Sequence, residues 1–233
     1  MEFHPPKCQV VHISLSKSPS KYQYRLHNHI LDSVTSAKYL GITLSNNLGW
    51  GKHIDSIANR ANGTLGFLRR NMKINSISIK ERAYLGLIRP QLEYCASVWD
   101  PHTAAANYAL ERIQRRAARW VLNRHHNTSS VSAMLDRLQW KTLQRRREEC
   151  RLVAMYKMVN GLAAVDINTY LTPVQRKSRH THQYGYIQLP ARSEGYRQSY
   201  FPRTVVSWNS LPESLVTSPT LAIFKNNLRQ APY

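Results

Sequence analysis

Acidic residues are scarce in this chain. Only 13 Asp and Glu stand against 33 Lys and Arg in 233 residues, giving a formal charge of +20 and a pI near 10.3. A two-metal phosphoryl-transfer site needs clustered carboxylates. No D-x-D or D-D pair occurs, and the one adjacent acidic pair, Glu148-Glu149, sits in RRREECR. Adjacent helical positions point about 100° apart. This pair therefore reads as screening Arg145, Arg146, Arg147 and Arg151 rather than as one pocket. Cysteine is also rare. Cys8, Cys95 and Cys150 are widely separated with no C-x-x-C pair, which excludes a disulfide framework and a zinc site. They read as buried free thiols in a reduced, intracellular setting, nucleus or cytoplasm. No apolar run approaches the ~18 residues of a membrane span, and MEFHPPKCQV lacks the apolar stretch of a secretory signal. There is no Walker loop, no G-x-S-x-G and no H-E-x-x-H. The histidines His125-His126, and His180 with His182, lack Cys or acidic partners at ligand spacing. They read as surface or phosphate-facing groups. No metal site, no cofactor and no stand-alone enzyme is expected.

What is present is positive charge, and it is patterned. So large an excess destabilises a compact chain by self-repulsion. A polyanion relieves it, nucleic acid first and an anionic membrane second. In ERIQRRAARWVLNR, residues 111–124, four arginines fall at i, i+3, i+4 and i+7: Arg112, Arg115, Arg116 and Arg119. That spacing is one face of a helix. Charged helix faces normally mix signs, because like charges at these spacings repel. Phosphates would neutralise them, and arginine suits bidentate phosphate contact. Arg124 follows the stripe. Arg69, Arg70 and Lys73 in LGFLRRNMK, and Arg145 and Arg146 in QRRRE, extend the basic set. Trp50, Phe67, Trp120 and Tyr184 lie near the charge and offer faces for bases. A periodic one such as Phe67 reads as core.

The coarse pattern is mainly α with a small β piece. Residues 7–15 read as a strand, 17–37 as a hairpin or loop, and 38–44 as a second strand. Helical spacing covers 53–70. Ser78 with Glu81 predicts a capping box for a helix running to about Trp99, with Pro90 as a kink or a break. Further helices are expected at 104–123, with Leu110, Ile113, Ala117 and Val121 opposite the arginines, at 130–138, and at 142–160, stopped by Gly161. Residues 172–200 are polar and basic, with Arg176, Lys177 and Arg179 and one strand at YGYIQLP. Two helices close the chain, the first opened by Pro202. Segment boundaries are expected at 1–48, 49–101, 102–171 and 172–233.

Six stretches in order then resemble one family. KYLGITLSNNLGW, TLGFLRRN, YLGLIRPQLEYCASVWDP, RIQRRAARWVLNR, MYKMVNGL and FPRTVVSWNSLP resemble the C-terminal part of reverse transcriptases of non-LTR retrotransposons, of the jockey and chicken-repeat-1 type. The resemblance implies that PPKCQVVHI is the last palm segment, with Lys7 at the family's lysine. KYLGI would be the primer-grip segment, through Lys38, Tyr39, Leu40 and Gly41. The next helices would be the thumb, which holds the template–primer duplex, and the arginine helix would begin a region that binds RNA or target DNA. The implied fold is a palm remnant, a thumb-like helical bundle and a helical C-terminal region. The family's Tyr/Phe-x-Asp-Asp turn falls immediately upstream of PPKCQVVHI. The chain therefore resembles a 5′-truncated copy without the catalytic aspartates, its palm strands left with unpaired edges. Mg2+ is implied only for the intact polymerase. The expected partners are RNA, DNA or their hybrid, and the upstream palm if it is present. Two alternatives remain open: part of an active polymerase whose catalytic palm is encoded upstream, and a structural or membrane-surface basic protein.

Overall fold

In the computed structural model of the chain, residues 4–14, 16, 22–124, 130–175 and 182–231 are described. His125, His126, Arg176, Lys177, Arg179 and His180 lie outside them. The fold is mainly helical with small sheets. The chain forms two compact units that interleave in sequence: Met1–Leu92 with Thr103–Met134, and Glu93–His102 with Leu135–Tyr233. Each unit is built from discontinuous chain.

Unit 1 opens with short strands. Lys7 ends a single 3-10 turn, Pro5–Lys7. Strand β1 (Gln9–Val10), β2 (Arg25–Leu26), β3 (His29–Ile30) and β4 (Asp32–Ser33) have two residues each. β1 pairs with β4 in parallel, and β2 with β3 antiparallel. The long strand expected at 7–15 is therefore two residues long. The segment expected as one strand, 38–44, is a hairpin: β5 (Ser36–Tyr39) and β6 (Ile42–Ser45) pair with Tyr39 opposite Ile42. The two-residue loop between them has Leu40 at φ 45 and Gly41 at φ 85. Positive φ at both loop positions matches the right-handed twist of hairpin strands, and glycine makes it accessible. Among the described residues all three sheets are two-stranded, so each strand has one ladder partner there.

Helix α1 (Gly51–Asn71) buries Ile54, Ile57, Ala61, Leu65 and Leu68 at helical spacing. The next helix starts earlier than the sequence pattern predicts. Ser76, not Ser78, caps α2 (Ile77–Ala83), accepting from the Ile79 amide. A π turn follows at Tyr84–Ile88, then α3 (Arg89–Glu93) and α4 (Ala96–Trp99). The π turn has two causes. Pro90 has no N–H to give and its ring crowds the carbonyl four residues back. Lys80, Tyr84, Ile88 and Leu92, four residues apart, are all buried. On a 3.6-residue helix that spacing drifts about 40° per step, and the wider turn recovers part of it. The helix breaks at Cys95, which is left-handed at φ 51. Helix α5 (Ala104–Val121) is capped by Thr103, and α1 packs against it.

After α6 (Val131–Arg137), unit 2 is organised on α7 (Leu143–Val159), capped by Thr142 and followed by Gly161 at φ 66. Short helix α8 (Glu194–Arg197), α9 (Tyr200–Asn209), α10 (Glu213–Val216) and α11 (Leu221–Gln230) complete it. Helix α9 begins at Tyr200, two residues before the proline expected to open it. α8 and α10 had no sequence signal long enough to register. The strand expected at YGYIQLP is a single bridge, Pro173 to Tyr186. The core joins Leu152, Met155 and Tyr156 of α7 to Val205, Trp208, Phe224 and Leu228, with Tyr156 stacked on Phe224 at 4.3 Å. Cys95 and Cys150 are exposed and Cys8 is half-buried, which corrects the expectation of buried thiols. α7 is covered on several sides, by α4, α9 and α11, so a position with no apolar neighbour in sequence, such as Cys150, falls on its open strip.

Candidate nucleic-acid interface

Helix α5 divides its two faces cleanly. Leu110, Ile113, Ala117, Ala118, Trp120 and Val121 are buried. Arg112, Arg115 and Arg116 are exposed and Arg119 is half-buried. The helix is held in rotation by Gln114, whose side-chain oxygen accepts from the buried Tyr84 hydroxyl at 2.8 Å. It is held at its C-terminal end by Lys80 of α2. That ammonium donates to the Trp120 carbonyl (3.4 Å) and the Asn123 side chain (2.5 Å), and lies over the Trp120 ring. Asn123 takes a left-handed φ of 52 just past the helix, a common C-terminal arrangement.

The four arginines have no ion-pair partner among the described residues. Arg116 donates to Asn62 of α1 at 2.9 Å, and Arg115 lies over the exposed ring of Tyr108 at 5.7 Å. Asn62 precedes Arg69 and Arg70 by seven and eight residues on α1, two turns along one side and about 10 Å away. Arg69, Arg70 and Lys73 are exposed. The structure therefore brings the stripe and the α1 basic end to one region of unit 1. Phe67, expected in the core, is 58% exposed on the same helix. Its spacing from Leu65 and Leu68 does not repeat in the core-facing set, which explains the outcome. Trp120, in contrast, is buried, Trp50 is half-buried, and Tyr184 is exposed in unit 2. Arg124 is exposed beyond the helix end. Lys7, Lys38, Tyr39, Leu40 and Gly41 are all exposed on the N-terminal strands and hairpin.

The arginines of unit 2 are placed differently. Arg145 reaches Glu148 and Glu149 and donates to the Ala231 carbonyl. Arg146 meets the Glu93 carboxylate with both Nε and Nη2, the latter at 2.9 Å. That hydrogen bond holds the Arg146 pKa above its ordinary value against the opposing effect of burial. Arg147 and Arg151 both turn to Asp100. Of the four arginines expected to be screened by Glu148 and Glu149, Arg145 meets them directly, and Arg146 and Arg151 feel Glu149 and Glu148 respectively as nearby charges. Arg145 and Arg146 thus sit in internal ion pairs, unlike the α5 set. His182 is buried, its Nε2 3.0 Å from the Trp208 carbonyl, so it is a core group and not a surface one. Sequence reasoning had no signal for Asp100, whose partners lie far along the chain. The same contrast holds in bulk: unit 1 carries 18 Lys and Arg against 5 Asp and Glu, unit 2 carries 15 against 8.

Among the described residues, no group of three His, Cys, Asp or Glu is placed to hold a metal ion, and no helix is long and apolar enough to cross a membrane. No protein-family model, curated protein or solved structure matches this chain.

Proposed function

We propose that unit 1 grips the phosphate backbone of RNA, DNA or an RNA–DNA hybrid through Arg112, Arg115, Arg116 and Arg119, with Arg69, Arg70 and Lys73 extending the contact. One observation carries this reading: four arginines share an accessible helix face and have no ion-pair partner among the described residues, while Arg145, Arg146, Arg147 and Arg151 of α7 are paired with carboxylates. Phosphates supply the missing charge, and counterion release supplies the free energy. The exposed ring of Tyr108 beside this face, and that of Phe67 on α1, offer stacking surfaces for unpaired bases. In the wider proposal the chain is the thumb and post-thumb part of a non-LTR retrotransposon reverse transcriptase. That rests on the six ordered sequence stretches. It assigns binding to this chain, and polymerisation with its Mg2+ to a catalytic palm.

The test is a salt titration of binding to a mixed-sequence oligonucleotide. Changing all four α5 arginines to glutamine is expected to weaken binding to many sequences alike. The slope of log K against log salt should flatten by about 3 to 4 units, near one per lost phosphate contact. An unchanged slope would remove α5 from the interface. Flotation of the chain with anionic liposomes, at the same salt and without nucleic acid, would favour a membrane surface instead.

A further inference from the structure

The charges inside unit 2 do not balance. The Asp100 side chain, 3% exposed, faces three guanidinium groups. Arg147 Nε donates to Oδ1 at 2.8 Å, Arg151 Nε lies 3.0 Å from Oδ2, and Arg203 Nη1 lies 3.2 Å from the same oxygen. Arg147 and Arg151 are 0% and 4% exposed. Glu148, the next carboxylate along α7, is already engaged by Arg145 and by the Ser207 hydroxyl. A surplus of positive charge held away from water is costly unless an anion meets it. Arg151 shows the strain of this arrangement: its Nη1 has no hydrogen-bond partner among the described residues.

Arg203 is the member of the cluster that reaches the surface, with its side chain 20% exposed. Its Nη1 is fixed by Asp100 and by the Asp100 and Pro101 carbonyls. Its Nε and Nη2 make no hydrogen bond among the described residues. Arg203 also lines an open pocket of about 540 Å3, together with Gln188, Arg197, Gln198, Pro202 and Val206, and no carboxylate lines it. The pocket therefore joins a rigidly held guanidinium, with a free two-nitrogen edge, to a buried reserve of positive charge.

We propose that this pocket binds a phosphate monoester, with two phosphate oxygens on the Nε and Nη2 edge of Arg203. Planar bidentate pairing of this kind is what a guanidinium offers and an ammonium does not. The dianion offsets the excess of guanidinium groups over carboxylate around Asp100, and Pro202 and Val206 give the ester's organic part an apolar wall. The site belongs to unit 2, whereas the α5 stripe belongs to unit 1. The ligand is either a small organic phosphate or the terminal phosphate of a nucleic-acid strand.

The experiment is calorimetric titration of the full chain with inorganic phosphate, at ionic strength held constant with sodium chloride. The background is the α5 variant with all four arginines changed to glutamine. Saturable binding of one phosphate per chain is expected there. Arg203→Lys keeps the charge but loses the fork, and should weaken binding by about tenfold or more. Val206→Asp places a carboxylate in the pocket without touching Asp100, and should abolish binding while circular dichroism stays unchanged. A 5′-phosphorylated dinucleotide that binds more tightly than inorganic phosphate, and than its 5′-hydroxyl form, identifies a strand end. Equal binding of dinucleotide and phosphate identifies a small phosphate. The proposal is overturned by the absence of saturable binding, by binding that survives Val206→Asp, or by phosphate binding present in the native chain and lost in the α5 variant. The last result would place the anion on α5.

Discussion

The Asp100 carboxylate faces three guanidinium groups within unit 2. Removing its charge takes away the carboxylate that the buried Arg147 and Arg151 both face. Asp100→Asn is expected to destabilise the chain by about 3–5 kcal/mol in urea unfolding, the usual cost of breaking a buried pair from one side. A change within experimental error would mean that the cluster is already compensated from solution. His53 gives unit 1 a pH dependence. Its ring is buried, and its Nδ1 accepts from the Thr43 amide at 3.2 Å, which only the neutral ring can do. Burial, and secondarily Arg60, hold its pKa below the ordinary 6.5. Protonation therefore favours the unfolded chain. The contribution of His53 is present above about pH 6.5 and is lost as the pH falls below it toward the folded-state value. His53→Asn keeps an acceptor for Thr43 and cannot titrate. Its urea midpoint should fall less between pH 7 and pH 5 than that of the native chain, and parallel falls would contradict the assignment.

At the scale of the element, α5 depends on a neighbour to end properly. Lys80 is 4% exposed and meets carbonyl and amide oxygens with no carboxylate among its hydrogen-bond partners. It satisfies acceptors at the negative end of the helix dipole. Lys80→Met keeps the apolar stem and removes the donor, and should cost about 1–3 kcal/mol. Hydrogen exchange should then speed up at residues 118–122 first. Uniform acceleration across α5 would instead indicate that the whole helix has loosened. The same region shows what sequence reading recovers. The buried line of α5 and its arginine line are both periodic, so both were legible before any coordinates. So were α1 and α7, whose lengths exceed any ambiguity at their ends. The choice between Ser76 and Ser78 was not legible. Ser78 with Glu81 satisfies the local rule, but starting at Ile77 puts Lys80 at the end of α5 and Tyr84 against Gln114. Packing decided between two acceptable caps. The hairpin at 36–45 was hidden for a related reason. Leu40 at positive φ is an unusual loop residue, and without the pairing partner the segment looks like one continuous strand.

The whole molecule is a set of like charges kept compact. Unit 1 holds most of the excess. Screening relieves the repulsion between exposed charges within a Debye length of each other. Thermal stability should therefore rise as sodium chloride increases from 10 to about 300 mM, in contrast to nucleic-acid affinity, which should fall. A melting temperature that drops with salt would show that the internal ion pairs outweigh the repulsion. What the sequence could not reveal at this scale is the interleaving. A segment that leaves one unit, contributes Trp99 and Asp100 to the other, and returns has no compositional mark. Its partners are distant, and periodicity reports only on near neighbours.

That interleaving sets an order of assembly during synthesis. Asp100 leaves the ribosome 47 residues ahead of Arg147 and 103 ahead of Arg203. At ordinary translation rates the carboxylate waits roughly 5–20 s for its last partner. Throughout that interval Trp99 and Asp100 are tethered between a first unit whose sequence ends at Met134 and a second that does not yet exist. A ribosome paused in the second half of the message therefore presents the basic unit 1 and the Trp99–Asp100 segment before Arg147, Arg151 and Arg203 have been made. That species is the one a chaperone or a protease would meet first.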